Sequence, residues 1–304
     1  YGGNSGIYPY AYGSANYDWE YAKDLNIGFD LDVWNNRIHL VTDIYNKETA
    51  NLFLDLPVSL TSGVGALPLN AGSMRNRGIE TELRVDVIRN ESLKWNVGLN
   101  FAYNKNKITS LAGSEGFEKN TTEIVREGLP YGSHYAPKWA GVDPKTGDPL
   151  YYNPDGSKTS DYNATTMSVA EFGSLYPPFT GGFNTSLTYK GINLTALFSF
   201  ANHVYRYNNE DYYNENPSFG TSGQSVRMLY NRWKKEGDQA LLPRYDAKRS
   251  YSSKDIQDAS YIRLRNVNLN YSLPKTLLSG TKFISGVTVF VQASNLITWT
   301  KWKG

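Results

Sequence analysis

The stretch IETELRVDV alternates without a fault: Ile79, Thr81, Leu83, Val85 and Val87 fall on one side, Glu80, Glu82, Arg84 and Asp86 on the other. A strand turns successive side chains to opposite faces, so this segment builds a sheet with one apolar and one charged surface. The apolar surface must meet either a protein core or lipid. The first leads to a soluble sandwich, the second to a membrane barrel.

Hairpin register tests the pattern. In LNIGFDLDVWNNRIHLVTDIYN, Asn35-Asn36 supplies the two positive φ values of a two-residue type I′ turn. Val33 then pairs with Ile38, Leu31 with Leu40, Phe29 with Thr42 and Ile27 with Ile44, while Asp32 opposes His39 and Gly28 opposes Asp43. The same folding about Lys190-Gly191 sets Tyr189 against Ile192, Leu187 against Leu194, Thr185 against Ala196 and Phe183 against Phe198. A third hairpin runs from the opening stretch through Arg89 to Ser92 into LKWNVGLNFAY, with Leu93, Trp95, Val97, Leu99, Phe101 and Tyr103 on one face. A fourth joins YIRLRNVNLNYSLP to VTVFVQASNL by a short Pro/Lys-rich link; its apolar phase slips between Leu264 and Val267, which a β-bulge explains.

The connections decide between core and lipid. Asn35-Asn36, Arg89 to Ser92 and Lys190-Gly191 are tight, whereas Lys47 to Arg77, Lys105 to Thr180 and His203 to Ala259 are long, in alternation. Outer-membrane barrels sort short turns to one rim and long extracellular loops to the other, and a sandwich has no reason to. The strands also approach the ~9 to 11 residues that cross a membrane at a tilt. Aromatics at strand ends, Trp34, Tyr45, Tyr103, Tyr189 and Phe200, suit interfacial girdles. The expected fold is therefore all-β, an antiparallel transmembrane β-barrel with its apolar face to lipid and its charges to a wet lumen. The rival is a secreted all-β carbohydrate-binding module or glycoside hydrolase.

Composition fits both. Aromatic residues make up 14% with 24 Tyr and 7 Trp, and charged residues only 20%, which favours β structure over disorder. A formal net charge of +2 without single-sign runs leaves no electrostatic footprint for nucleic acid, and the lack of cysteine excludes disulfides and thiolate chemistry. The opening YGGNSGIYPYAYGSANYDW has neither the basic start nor the apolar core of a signal peptide, so the chain is expected to be processed or partial.

Candidate chemistry lies in two places. Asp30, Asp32, His39, Glu80, Glu82, Arg84, Arg263 and Arg265 fall on the charged face and are expected to line the lumen or meet a plug. A two-residue step puts the Glu80/Glu82 and Asp30/Asp32 carboxyls about 7 Å apart, within glycosidase range, but a polar strand face produces such pairs automatically and the lumen wall is the better reading. The loops interleave aromatics with amides and charges in YGSHYAPKW, YRYNNEDYYNENPSF and YNRW; Trp139, Tyr205, Tyr207, Tyr212 and Tyr213 are the candidates for stacking on substrate. Asp143, Asp148, Asn153 and Asp155 read as turn residues rather than calcium ligands, and His39, His134 and His203 show no ligand spacing, so neither a metal nor a cofactor is expected.

In order along the chain, NAGSMRNRGIE (70–80), REGLPYGSHYAPKWAGVDPKTGDPLYYNPDG (126–156), YKGINLTALFSF (189–200), YNRW (230–233), YIRLRNVNLNYSLP (261–274) and QASNLITWTKWKG (292–304) resemble the SusC/RagA family of TonB-dependent outer-membrane transporters, in the C-terminal part of the barrel. The resemblance implies a plugged barrel of about 22 strands, to which residues 1–304 contribute late strands; the plug, the TonB-engaging segment and a final strand are expected outside this chain. It also implies an outer-membrane importer, not an enzyme, taking up typically glycans and in some members peptides, with a SusD-like lipoprotein as cap and TonB as energy source.

Overall fold

The computed structural model describes residues 17–219, 223–280 and 283–303. The opening stretch, apart from Tyr17–Trp19, lies outside them. The dominant element is an eight-stranded antiparallel sheet in which each strand pairs with its neighbours in order. The strands are β1 (Tyr21–Val33), β2 (Ile38–Pro57), β3 (Ala66–Arg89), β4 (Leu93–Ser110), β5 (Phe179–Tyr189), β6 (Ile192–Asn202), β7 (Tyr261–Ser272) and β8 (Thr288–Thr300).

The register is the one the alternation specifies. A single row crosses all eight strands as Leu31, Leu40, Leu83, Leu99, Phe183, Phe198, Leu264 and Ile297. The adjacent row on the other face reads Asp30, Val41, Glu82, Asn100, Gly182, Ser199, Arg263 and Thr298. The first row is apolar throughout, and the second is polar, small or charged except at Val41. The apolar face is not buried by protein: Ile27 is 66% exposed, Phe29 53% and Val291 68%. An exposed apolar band of this extent belongs in lipid. The opposite face carries a hydrogen-bonded ladder, in which Asn193 donates to Ser186 and Thr188 and Asn268 donates to Thr195.

Asn35 and Asn36 have φ 54° and 59°, as a type I′ turn requires, but Trp34 also lies at φ 55°, so the strands stop at Val33 and Ile38 and the link has four residues. The Lys190-Gly191 turn follows the expected register. The bulge sits where the phase slips: Arg265 is passed over in the pairing with β6, and Asn295 at φ 53° lies in the matching irregularity of β8.

Three expectations need correction. Lys47 to Arg77 is not a long loop, because pairing continues from Lys47↔Asn76 to Pro57↔Ala66 and leaves only residues 58–65 as the turn. The alternation fades there because an extension beyond the membrane has no lipid on either side. The β7–β8 link is longer than read, residues 273–287, and includes one helical turn at Lys275–Leu278. Tyr45 does not join the outer girdle; it lies on the charged face and its hydroxyl donates to Asn104 Oδ1 at 3.1 Å.

Leu83 sits between Leu40 and Leu99 in the outward row. In the full-length protein, Leu83→Arg is expected to cost about 2 to 4 kcal/mol near the bilayer midplane and to deplete the heat-modifiable band of outer-membrane fractions. Glu82→Gln on the opposite face should leave that band intact. Equal recovery of the two variants would show that the apolar face does not meet lipid.

Candidate functional site

The polar face of the sheet borders an open cavity of about 1020 Å³. Three zones of the sheet line it. Asp43 on β2 and Glu80 and Glu82 on β3 supply carboxylates; Arg263 and Arg265 on β7 supply guanidinium groups; and between them Asn100, Ala102, Thr180, Ser199 and Ala201 on β4 to β6 keep the floor low. Gly182 stands in register between Asn100 and Ser199, where a Cβ would come within 2.7 Å of Asn100 Oδ1. Arg206 enters from above, and Tyr261 and Trp302 add aromatic surface.

Arg263 is held by two contacts: its Nε donates to Thr298 Oγ1 at 3.0 Å, and its guanidinium lies 5.1 Å from the Tyr261 ring centre. Arg265, two residues on, falls on the same face by alternation and is passed over by the ladder. Glu82 pairs with Arg84 at 2.5 Å, whereas among the described residues Glu80 and Asp43 have no cation within salt-bridge distance. The charge is therefore separated, negative at one wall and positive at the other.

Of the lumen candidates, Glu80, Glu82, Arg263 and Arg265 come together in this cavity. Asp30, Asp32 and His39 share the same face nearer the tight turns, and His39 Nδ1 lies 2.9 Å from Asp32 Oδ1, the pairing expected from register. Sequence reasoning missed Asp43, although its place opposite Gly28 was read, and Arg206, whose strand Tyr205–Tyr207 is too short to show a period.

The loop candidates are distributed differently. Tyr207 and Tyr212 pack with Tyr251 above the sheet, Tyr207 and Tyr251 meeting edge to face at 4.8 Å. Tyr213 packs edge to face on Phe219 at 4.5 Å while keeping an exposed side. Trp139 meets the Tyr151 ring at 5.6 Å, and Tyr205 lies against Gly173. Burial pushes the phenols of Tyr151 and Tyr162 up to about 12, and those of Tyr207 and Tyr251 upward as well, so these hydroxyls remain protonated. Asp143 and Asp155 accept hydrogen bonds from backbone N–H groups two residues on, which is the turn role expected of them.

At the centre of the loop block is a fully buried ion pair. Arg249 Nη1 donates to Asp255 Oδ1 at 2.6 Å, Arg249 Nη2 donates to the Asp211 carbonyl at 3.1 Å, and the guanidinium lies 5.1 Å from the Tyr212 ring centre. Asp255 also accepts from the Ser252 N–H at 3.2 Å; burial pushes its carboxyl up, and Arg249 and then Lys254 pull it back. A second cluster adjoins it: Arg227 pairs with Asp211 and, at 2.7 Å, with Glu215, which also holds Lys254 at 2.6 Å. The pattern Ser252-x-x-Asp255 was the one local signal of this arrangement; the other partners are too distant in sequence to be paired by eye.

No family model matches the chain. Its sequence is 27% identical to TonB-dependent receptor P3 of Formosa agariphila over 99% of this chain and 32% of that protein. It is 23% identical to TonB-dependent receptor SusC of Bacteroides thetaiotaomicron over 95% of this chain and 30% of that protein. A solved structure described as the RagAB peptide transporter superposes with a TM-score of 0.87 at 31% identity, covering 96% of this chain and 33% of that one. The RagAB peptide importer in its open-open state superposes with a TM-score of 0.86 at 32% identity. The chain spans about a third of the length of these relatives. The resemblance to the SusC/RagA transporters thus runs along the whole chain, and its sheet is that of an outer-membrane β-barrel.

Removing one partner of a buried pair leaves an uncompensated charge, at a cost of about 3 to 5 kcal/mol. Asp255→Asn should accordingly expose residues 203–260 to limited proteolysis in the detergent-solubilised full-length protein while the barrel stays heat-modifiable. The double variant Arg249→Met/Asp255→Leu should recover much of the resistance. Unchanged proteolysis of the single variant would show that the pair does not hold the block.

Proposed function

We propose that the chain forms late strands and extracellular loops of a TonB-dependent importer, working without covalent catalysis and with a SusD-like surface lipoprotein as partner. The cavity binds the passing nutrient. The observation that carries this reading is the separated charge of a space large enough for an oligomer: Asp43 and Glu80 at one wall, Arg206, Arg263 and Arg265 at the other. A peptide presents an ammonium and a carboxylate, and planar guanidinium groups bind carboxylates with two parallel hydrogen bonds. A neutral glycan has no use for such a field. The lumen thus favours peptides over the glycans that the family resemblance put first, and the solved relatives described as peptide transporters and importers support the same choice.

In a substrate role, Arg263→Gln/Arg265→Gln weakens peptide binding to the full-length protein about tenfold or more, since charge-assisted hydrogen bonds contribute about 1.5 to 3 kcal/mol each. Calorimetry with a mixed-peptide pool and with a neutral oligosaccharide pool makes the comparison. Peptide uptake that depends on TonB and falls with the variant supports the reading. Uptake of the oligosaccharides alone would overturn it, and a variant that becomes leaky to small solutes without losing affinity would assign the two arginines to the plug instead.

A further inference from the structure

The register also arranges the outward face into rows at successive heights, and two of them carry an excess of positive charge. The row Phe29, Thr42, Thr81, Phe101, Gly181, Phe200, Ile262 and Trp299 is rich in aromatics, and beyond it Tyr103 pairs with Phe179, whose rings lie 4.9 Å apart. Aromatics at such a level mark the membrane interface. One step further towards the long loops, Arg77 pairs with Lys105; one step beyond that, Arg75 pairs with Lys107, and Lys23 and Glu48 continue the same row.

Two like-charge pairs directly opposite each other on adjacent strands are unfavourable in isolation. Glu48, 3.7 Å from Arg75, offsets part of one pair; among the described residues the other has no carboxylate within salt-bridge distance. Arg77, Lys105 and Lys107 are exposed, and they point outward because the alternate residues Asn76, Asn104 and Asn106 hydrogen-bond to one another on the inner face. A strand rises ~3.3 Å per residue, so Lys105 stands about 7 Å beyond Tyr103, within the headgroup layer rather than the hydrocarbon. Beside Lys105 and Lys107 opens a groove of about 640 Å³ lined by Tyr103, Phe172, Tyr176 and His203, with the one carboxylate of its lining, Glu171, paired to Lys138 at 2.5 Å.

We propose that this patch, with Arg77, Lys105 and Lys107 as its centre, binds the phosphate groups of a phosphorylated glycolipid of the outer leaflet, with the glycolipid sugar lying in the adjoining groove. The proposal rests on the outer-membrane reading above, because it needs the aromatic row to lie at the lipid interface. Charge complementarity selects the occupant: the patch adjoins the lipid-facing band, and the anion presented at that height by the bilayer is a headgroup phosphate. Cationic side chains near a charged leaflet attract it in proportion to their number.

The test titrates the full-length protein in neutral detergent with bis-phosphorylated lipid A and, separately, with its dephosphorylated form. Wild type should prefer the phosphorylated lipid, and Lys105→Gln/Lys107→Gln should weaken that binding roughly tenfold with no change towards the dephosphorylated form. Should that variant fail to assemble, Glu48→Gln serves instead, because removing the one acidic group of the row should tighten binding. A heat-modifiable barrel that binds both lipids equally, or whose affinity ignores either variant, overturns the site while leaving peptide import untouched. Loss of peptide binding with lipid A binding retained overturns the import reading and supports the site.

Discussion

Lipid offers a backbone no hydrogen bonds, so every N–H and C=O that crosses the hydrocarbon must be paired by the protein itself. The eight strands meet this by bonding each to the next along its membrane-crossing length, and the rest of the molecule is arranged around that ladder. Among the described residues β1 and β8 are bonded on one side only, and in lipid such edges have to be closed by further strands. The relatives, of which this chain spans about a third, are long enough to provide them.

Once the ladder fixes the strands, the segments between them must fold above it without a large apolar core. The buried hydrophobic cluster there is small, Ile108, Leu111 and Val125 with Leu54, Phe117 and Tyr131 around it. Order comes from polar contacts of high specificity instead. Arg249 and Asp255 are wholly buried, and such a pair is poor at adding stability yet intolerant of misplacement. Its position couples the loops to the lumen: the strand Tyr205–Tyr207 pairs with Ile256–Asp258 next to Asp255, so Tyr207 packs into the block while Arg206, turned the other way, reaches the cavity.

How much of this was legible follows from where a period exists. Wherever lipid touched one face, the sequence alternated, and the pairings about Asn35-Asn36 and Lys190-Gly191, together with the slip at Arg265, were readable residue by residue. Beyond the membrane the same hairpin runs on from Lys47 to Pro57 with water on both faces, and the pattern that would have announced it is gone. Tyr45 was misplaced for a related reason: an aromatic at a strand end looks the same whether it turns to lipid or to Asn104, and only its parity with Ile44 separates the two. The loop network was least legible, because Asp211, Arg227, Arg249 and Asp255 meet through tertiary folding that no local spacing encodes.

The strict period of two has a further consequence for recognition. Because a one-residue shift moves a side chain to the other face, a single strand can serve two solvents with independent chemistry. On β3, Glu80 and Glu82 lie on the charged face, Ile79 and Leu83 on the apolar face, and Arg75 and Arg77 on that same outward face above the aromatic level. The acid–base separation inside the barrel and the cationic rows outside it are therefore set by the same register. A change that slipped β3 by one residue would turn carboxylates into hydrocarbon and leucine into the lumen, so selection for lipid burial also keeps the inner charges in place. The lumen can vary its polar residues for a new substrate while the ladder holds, whereas the outward row of Leu31, Leu40, Leu83 and Leu99 has no such freedom.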